Sequence, residues 1–465
     1  MKPAIPTGVM PMHLQLAMSS WMSSRAASQL WKSVYQNLSP ISQVQQSQKP
    51  AASPQQNAKP SPSEPSSQAK AKPLPSDLRG QLEALKSLLQ NEPPNPQQNP
   101  KQKAKNAKQE EDALRALFDN GDFWQAVASE SEQRAHAMLD GVNNFRQHEY
   151  EYEGHANEVV WQKGNARLLD YGCNLNADAP RLMMIPSLIN TAKIFDILKG
   201  YSMIEYLLAH GIRPLVLDWG VPGYRERYFD CADYSYKYAL DAVKQLRRRS
   251  DAPLFMLGYC MGGLFASAVA CLRPDLIDGL ILLATPWDFQ SKDSLHIPLE
   301  KEQKAQLREQ LHAQDVLPKE WLEWMFHLMQ PYRFQEKFGQ YLTLGEEERE
   351  HFIAIEHWVS NGIPLANKVA EECLLLWPQE NLLHKEQWEV AGQIIAPQHI
   401  HCPTLAIVPS DDNIVPSECA IALAGSIDEC HILTPPCGHV SMVAGKRAER
   451  LCWKPLIGWI HALNG

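Results

Sequence analysis

A cysteine stands between two glycines in Gly258-Tyr-Cys260-Met-Gly262. A thiolate is a strong nucleophile toward activated carbonyls, and the flanking residues indicate how this one is held. The apolar run 254–257 precedes it as a strand, and the small-residue run Leu264-Phe-Ala-Ser-Ala-Val-Ala270 follows it as a helix. Glycines two before and two after suit a sharp turn in which a Cβ would strike neighbouring backbone. Such a turn sets the thiol at a helix N-terminus, where the dipole favours thiolate. The bland alternative is a buried core cysteine. Strand, turn and helix in that order favour a nucleophile elbow with Cys in place of Ser.

An acid and a base should follow later in the chain. Behind the apolar run 404–408 comes Pro409-Ser-Asp411-Asp412-Asn-Ile-Val-Pro416, which offers a carboxylate. Behind the run 431–434 comes Pro435-Pro-Cys437-Gly438-His439-Val440, which offers an imidazole. In this reading His439 takes the proton of Cys260, and a carboxylate fixes the imidazole tautomer and stabilises its cation. The residue pattern alone leaves Asp411 and Asp412 both open. Oxyanion donors are expected from the backbone N–H of Met261 and from the loop after residues 181–185, where Ile189 is the choice.

These residues need a scaffold. Apolar runs at 181–185, 214–217, 254–257, 279–284, 404–408 and 431–434 read as buried strands, with helical stretches such as 202–209 and 234–249 between them. Strands alternating with helices predict an α/β fold with a mostly parallel sheet covered on both faces. With nucleophile, acid and base each behind its own strand, the expected architecture is an α/β-hydrolase fold. Residues 109–286 and 399–465 would form its core. The alternation stops over 287–398, a helical segment with Trp321, Trp324, Phe326, Trp358, Trp377 and Trp388, which reads as an inserted cap.

The chain has 465 residues and a net charge of −9. Residues 1–108 carry +9 and hold 15 of the 34 prolines, while the remainder carries −18. A basic Pro/Gln/Ser-rich head, largely disordered apart from one amphipathic helix over 12–38, thus precedes an acidic body. The acidic body argues against general nucleic-acid binding. No run of 18 apolar residues is present, and prolines interrupt the N-terminus, so neither a membrane span nor a secretory signal is expected. The ten cysteines form no CxxC pair and read as reduced thiols, with Cys173, Cys271 and Cys373 in the core. Arg247-Arg-Arg249 reads as a solvated helix end.

The body resembles the polyhydroxyalkanoate synthases, polyester polymerases of bacterial storage granules. The resemblance lies in Gly258-Tyr-Cys260-Met-Gly262-Gly263, Pro186-Ser-Leu-Ile-Asn190, Ile194-Phe-Asp196-Ile, Leu217-Asp-Trp219-Gly220, Ala284-Thr-Pro-Trp-Asp288-Phe289, Asp412-Asn-Ile-Val-Pro416 and Gly438-His439-Val-Ser-Met-Val-Ala-Gly445. It runs from about residue 115 to the end and is nearer the short two-component synthases than the long ones. The resemblance implies Cys260 as nucleophile, His439 as base and Asp412 rather than Asp411 as acid, because the family's acid sits two residues before Ile/Val-Val-Pro. It also implies an acyltransferase that loads an (R)-3-hydroxyacyl-CoA, such as 3-hydroxybutyryl-CoA, onto Cys260 with release of CoA and extends a polyester. No metal or organic cofactor is implied. The expected setting is a cytoplasmic granule surface, with a homodimer, a second synthase subunit or granule proteins as partners. Three positions depart from the family: Asn413 replaces its His, Thr191 its Lys and Ser187 its second Pro. The same triad would serve a polyester depolymerase or a thioesterase, and a degenerate site would leave a non-catalytic granule protein.

Overall fold

The computed structural model describes residues 121–292, 294, 298–322 and 331–464. The basic head with its expected helix over 12–38, together with Trp324 and Phe326, lies outside the described residues. Eight segments pair into one sheet: Glu158–Lys163 (β1), Ala166–Asp170 (β2), Arg181–Ile185 (β3), Arg213–Asp218 (β4), Leu254–Tyr259 (β5), Gly279–Leu283 (β6), Thr404–Ile407 (β7) and Cys430–Leu433 (β8). Their order is β1-β2-β4-β3-β5-β6-β7-β8. From β4 to β8 every neighbouring pair is parallel, while β2 pairs antiparallel with β1 and β4.

Side-chain alternation splits the core into two layers. Met183, Ile185, Leu254, Met256, Leu280, Leu282 and Ala406 belong to one buried cluster. Leu182, Met184, Phe255, Leu257, Ile281, Leu283, Leu405 and Ile407 belong to the other. Successive residues of a strand point to opposite faces, so strands this apolar need cover on both sides. The chain leaves β3 for β4 on one side and later returns as β5 on the other. The C-terminal ends of β3 and β5 therefore flank a topological switch point, where open α/β sheets bind ligands.

The β1–β2 hairpin was not among the expected strands. It carries Arg167 exposed between buried Ala166 and Leu168, so it lacks the continuous apolar run that marks the interior strands. β8 starts one residue earlier than expected and is not buried: it is the edge strand of the sheet, with His431 and Ile432 exposed, and the helical run expected over 234–249 opens with a wide π-type turn at Tyr234–Ala239. Cys173 is exposed rather than in the core, because it sits in a turn after β2 with its thiol on the Asp170 carbonyl at 3.4 Å. Cys271 is buried and Cys373 half-buried. Arg247 is not simply solvated: it donates to the Leu276 carbonyl at 2.6 Å and to Asp278 at 2.5 Å.

The helices are Gly121–Phe145 (α1), Met203–Ala209 (α2), Leu240–Arg249 (α3), Gly262–Leu272 (α4), Lys301–His312 (α5), Pro331–Gln340 (α6), Glu346–Ser360 (α7), Ser417–Ala424 (α8), Ser441–Ala444 (α9) and Lys454–Asn464 (α10), with shorter turns between them. Residues 287–398 are mainly helical but also hold two tiny antiparallel pairs, Val316–Leu317 with Leu365–Ala366 and Glu389–Val390 with Gln393–Ile394. The described residues of 148–331 and 345–464 group into one compact unit that contains the sheet. Residues 121–147 and 332–344 belong to another, in which Phe145 packs edge-on against Phe338 at 5.5 Å and Tyr341 at 6.2 Å.

Candidate active site

β5 ends at Tyr259 and α4 begins at Gly262, so Met261 and Cys260 must make the whole turn. Cys260 adopts φ 55°, a left-handed conformation that costs a non-glycine residue about 1–3 kcal/mol. The turn is held from both sides: Cys260 N–H donates to the Leu283 carbonyl of β6 at 2.8 Å, and Gly263 N–H donates to the Cys260 carbonyl at 2.9 Å. A Cβ at Gly262 would lie 2.0 Å from the Ile185 carbonyl oxygen, and one at Gly258 would lie 2.3 Å from the Gly263 Cα. The flanking glycines let the elbow nest against β3. Cys260 is half-buried and stands at the N-terminus of α4.

His439 follows β8 and is buried. Its Nδ1 is 2.7 Å from Asp412 Oδ2. The carboxylate only accepts, so Nδ1 carries a proton and Nε2 is the nitrogen left for Cys260. Asp412 Oδ1 is used separately, accepting from Ile414 N–H at 2.8 Å and Val415 N–H at 2.9 Å. This turn fixes the carboxylate before the histidine meets it. Asp411 is exposed and instead accepts from Ser410 Oγ at 3.0 Å. Asn413 is exposed, and its side-chain amide lies 3.5 Å from the Asp411 carbonyl.

Burial works against a charged His439, but the charges of Cys260 and Asp412 and its hydrogen bonds to both outweigh it. They hold the imidazole up at about 10. Asp412 and Cys260 thus favour the protonated form of the imidazole beside the elbow. A positive imidazole beside the elbow also suits a leaving group that departs as an anion.

Two backbone N–H groups were expected near this thiol. Met261 sits directly after Cys260, with its side chain buried and its Sδ 4.0 Å from the Cys373 thiol. Ile189 lies in the loop after β3, adjacent to β5 in the sheet. Its N–H donates to Ser187 Oγ at 3.3 Å, a long bond, and its carbonyl accepts from Ile363 N–H at 2.7 Å.

Two further residues hold the site. The Tyr259 hydroxyl donates to the His439 carbonyl at 3.2 Å, and its ring lies 5.1 Å from the imidazole. The Trp219 indole donates to the Pro186 carbonyl at 3.0 Å, pinning the start of the loop that bears Ile189. Both lie inside the short motifs around Cys260 and Trp219, but a side chain's partner across the sheet is not written in local spacing.

The α/β hydrolase fold family model matches residues 180–445, more than half of the chain. Among curated proteins, the poly(3-hydroxyalkanoate) polymerase subunit PhaC of Haloferax mediterranei is 27% identical over 311 residues, which cover 65% of this chain and 63% of that protein, less than two thirds of its length. The subunit of the same name from Allochromatium vinosum is 26% identical over 286 residues, covering 60% of this chain and 80% of that protein. That of Synechocystis sp. is 23% identical over 318 residues, covering 65% and 83%. With an elbow, an Asp–His pair and a switch-point loop arranged on a mostly parallel sheet, and with the family model spanning all of them, the chain belongs to the α/β-hydrolase fold family.

Proposed function

We propose that this chain is a polyhydroxyalkanoate synthase that polymerises (R)-3-hydroxyacyl-CoA, with short-chain 3-hydroxybutyryl-CoA as the first substrate to test. The observation that carries the reading is the Asp412–His439 pair at 2.7 Å, with the Cys260 elbow among the groups that act on the imidazole. The similarity to polymerase subunits supplies the substrate class.

The chemistry follows from the geometry. The Cys260 thiolate attacks the thioester carbonyl of the substrate. Negative charge develops on that oxygen and is met by the N–H of Met261 and by the N–H of Ile189, which exchanges its long bond to Ser187 Oγ for the stronger charged acceptor. The tetrahedral species collapses, the C–S bond to CoA breaks, and His439 protonates the departing thiolate. The hydroxyl of a second hydroxyacyl-CoA then gives its proton to His439 Nε2. Its oxygen attacks the acyl group on Cys260, forming an ester and freeing the thiolate. Thioester for thioester is nearly isoenergetic, so loading Cys260 wastes little of the substrate's acyl-transfer potential. A serine ester at the same place would be a poorer leaving group for the second step.

No helix among the described residues is long and apolar enough to cross a membrane. Placement on a polyester granule in the cytoplasm belongs to this proposal. The test is product analysis with 3-hydroxybutyryl-CoA. CoA release with insoluble polyester supports the reading. CoA release with free 3-hydroxybutyrate would make the chain a thioesterase, and no release would leave a non-catalytic protein.

A further inference from the structure

Helix α7 (Glu346–Ser360) touches two loops of the site that are far apart in sequence. Near its C-terminal end, Trp358 Nε1 donates to the Thr191 carbonyl at 2.8 Å. Just beyond, Ile363 N–H donates to the Ile189 carbonyl at 2.7 Å, and Gly362 pairs with Asn190 in an antiparallel bridge. Three successive residues of the loop after β3 are thus gripped, and the Ile189 N–H is part of that loop. Nearer its N-terminal end, His351 Nε2 lies 2.5 Å from the Ala444 carbonyl. A carbonyl only accepts, so Nε2 carries the proton there.

Ala444 closes α9 (Ser441–Ala444), the four-residue helix that begins two residues after His439. A helix that short is not stable by itself and takes its position from what it touches. His351 supplies one such contact, and Lys446 just beyond pairs with Glu348 of α7 at 3.2 Å. The His351 ring is itself stacked on Tyr201 at 4.4 Å, whose hydroxyl donates to Glu347 at 2.6 Å. His351 and Trp358 are seven residues apart, two helical turns, and so share one face of α7 separated by about 10 Å. Between them Ala354 is buried in the same apolar cluster as Met442, Val443 and Ala444.

We propose that α7 is a positioning element for both halves of the site. Trp358 sets the oxyanion loop and His351 sets the helix behind His439, so displacement of this one helix moves oxyanion donor and base together. The inference rests on the acyl-transfer reading of the triad. Neither residue touches a reacting atom. Both act by fixing groups whose misplacement by about 1 Å would lower the rate substantially.

The test uses the full chain with Trp358→Phe, His351→Leu and His351→Gln. Three quantities are measured: acyl transfer from 3-hydroxybutyryl-CoA and from a chromogenic acyl ester, the pH profile of iodoacetamide labelling at Cys260 read by peptide mass, and the melting temperature. Trp358→Phe keeps an aromatic ring and removes the donor to Thr191. It should lower kcat on the order of ten-fold without raising KM and leave the labelling profile unchanged, because alkylation forms no oxyanion. His351→Leu should displace the labelling profile toward alkaline pH and lower kcat by a similar factor. His351→Gln, which retains a side-chain N–H donor, should restore most of both. The inference is overturned if either Trp358→Phe or His351→Leu matches the wild type in turnover and labelling, or if both variants lose turnover and labelling together in proportion to lost thermal stability. If the wild type does not use the CoA substrate, the ester and labelling arms still decide the role of α7, so failure of the polymerase reading is told apart from failure of this one.

Discussion

Replacing Asp412 by Asn tests the triad at its most constrained point. Asp412 Oδ2 meets His439 Nδ1 at 2.7 Å while Oδ1 accepts from Ile414 and Val415 N–H at 2.8 and 2.9 Å. An amide cannot satisfy both sides. With its NH2 toward His439, it favours the tautomer with the proton on Nε2, which then cannot take a proton from Cys260 or from a substrate hydroxyl. With its oxygen toward His439, its NH2 faces two N–H donors in a buried turn. The carboxylate charge, one of the groups that hold His439 up at about 10, is lost either way. Removing an orienting carboxylate lowers kcat by about 10²–10⁴-fold, or roughly 3–5 kcal/mol of barrier. Asp411→Asn is the control: that carboxylate is exposed and accepts from its neighbour Ser410, so turnover should stay within about two-fold. The assay is CoA release under saturating substrate, followed with a thiol reagent. An Asp412→Asn enzyme within five-fold of the wild type, or an Asp411→Asn enzyme that is nearly dead, would refute the assignment.

Gly262→Ala should destabilise the chain by about 3 kcal/mol in urea unfolding, because its Cβ would lie 2.0 Å from the Ile185 carbonyl and backbone must move; an unchanged midpoint would mean that the elbow does not nest against β3. Tyr259→Phe, which removes the hydroxyl donated to the His439 carbonyl at 3.2 Å, should reduce kcat by about three- to ten-fold with KM unchanged in steady-state assays. Glu372 is buried, and burial raises its carboxyl to about 7 although Cys231 N–H donates to it at 2.7 Å. The folded state thus keeps a proton that the unfolded chain loses from about pH 4.5 upward, so stability falls as pH rises through the window from about 4.5 to 7, by at most about 3 kcal/mol. Glu372→Gln should flatten that decline in melting temperature, and parallel curves for variant and wild type would disprove the buried-acid account.

The interior strands were legible because each is an unbroken apolar run that no surface position interrupts. The hairpin of β1 and β2 was not, since an edge ribbon with polar residues such as Arg167 facing water resembles loop sequence. The elbow was legible because a strained turn requires glycine at fixed offsets from Cys260. The structure brings Cys260, His439 and Asp412 together and leaves Asp411 outside, a register that local spacing left open and the family resemblance chose. What spacing does not carry is the set of long-range supports. Tyr259 reaching His439, Trp219 holding Pro186, and Trp358 and His351 reaching from α7 each join segments tens to hundreds of residues apart. Ser187 occupying the Ile189 N–H was equally hidden, because it depends on how one loop folds back on itself.

The central claim is that Cys260 carries the growing chain as a thioester. The direct measurement is peptide mass analysis of the full chain quenched in acid after brief exposure to 3-hydroxybutyryl-CoA, with Cys260→Ser and Cys260→Ala alongside. The account predicts hydroxybutyryl adducts on the peptide bearing Cys260, labile to hydroxylamine, present in the wild type and absent with Cys260→Ala, whose turnover should fall by about 10³-fold or more. Adducts confined to another of the ten cysteines, or polymer formation by Cys260→Ala at the wild-type rate, would contradict it.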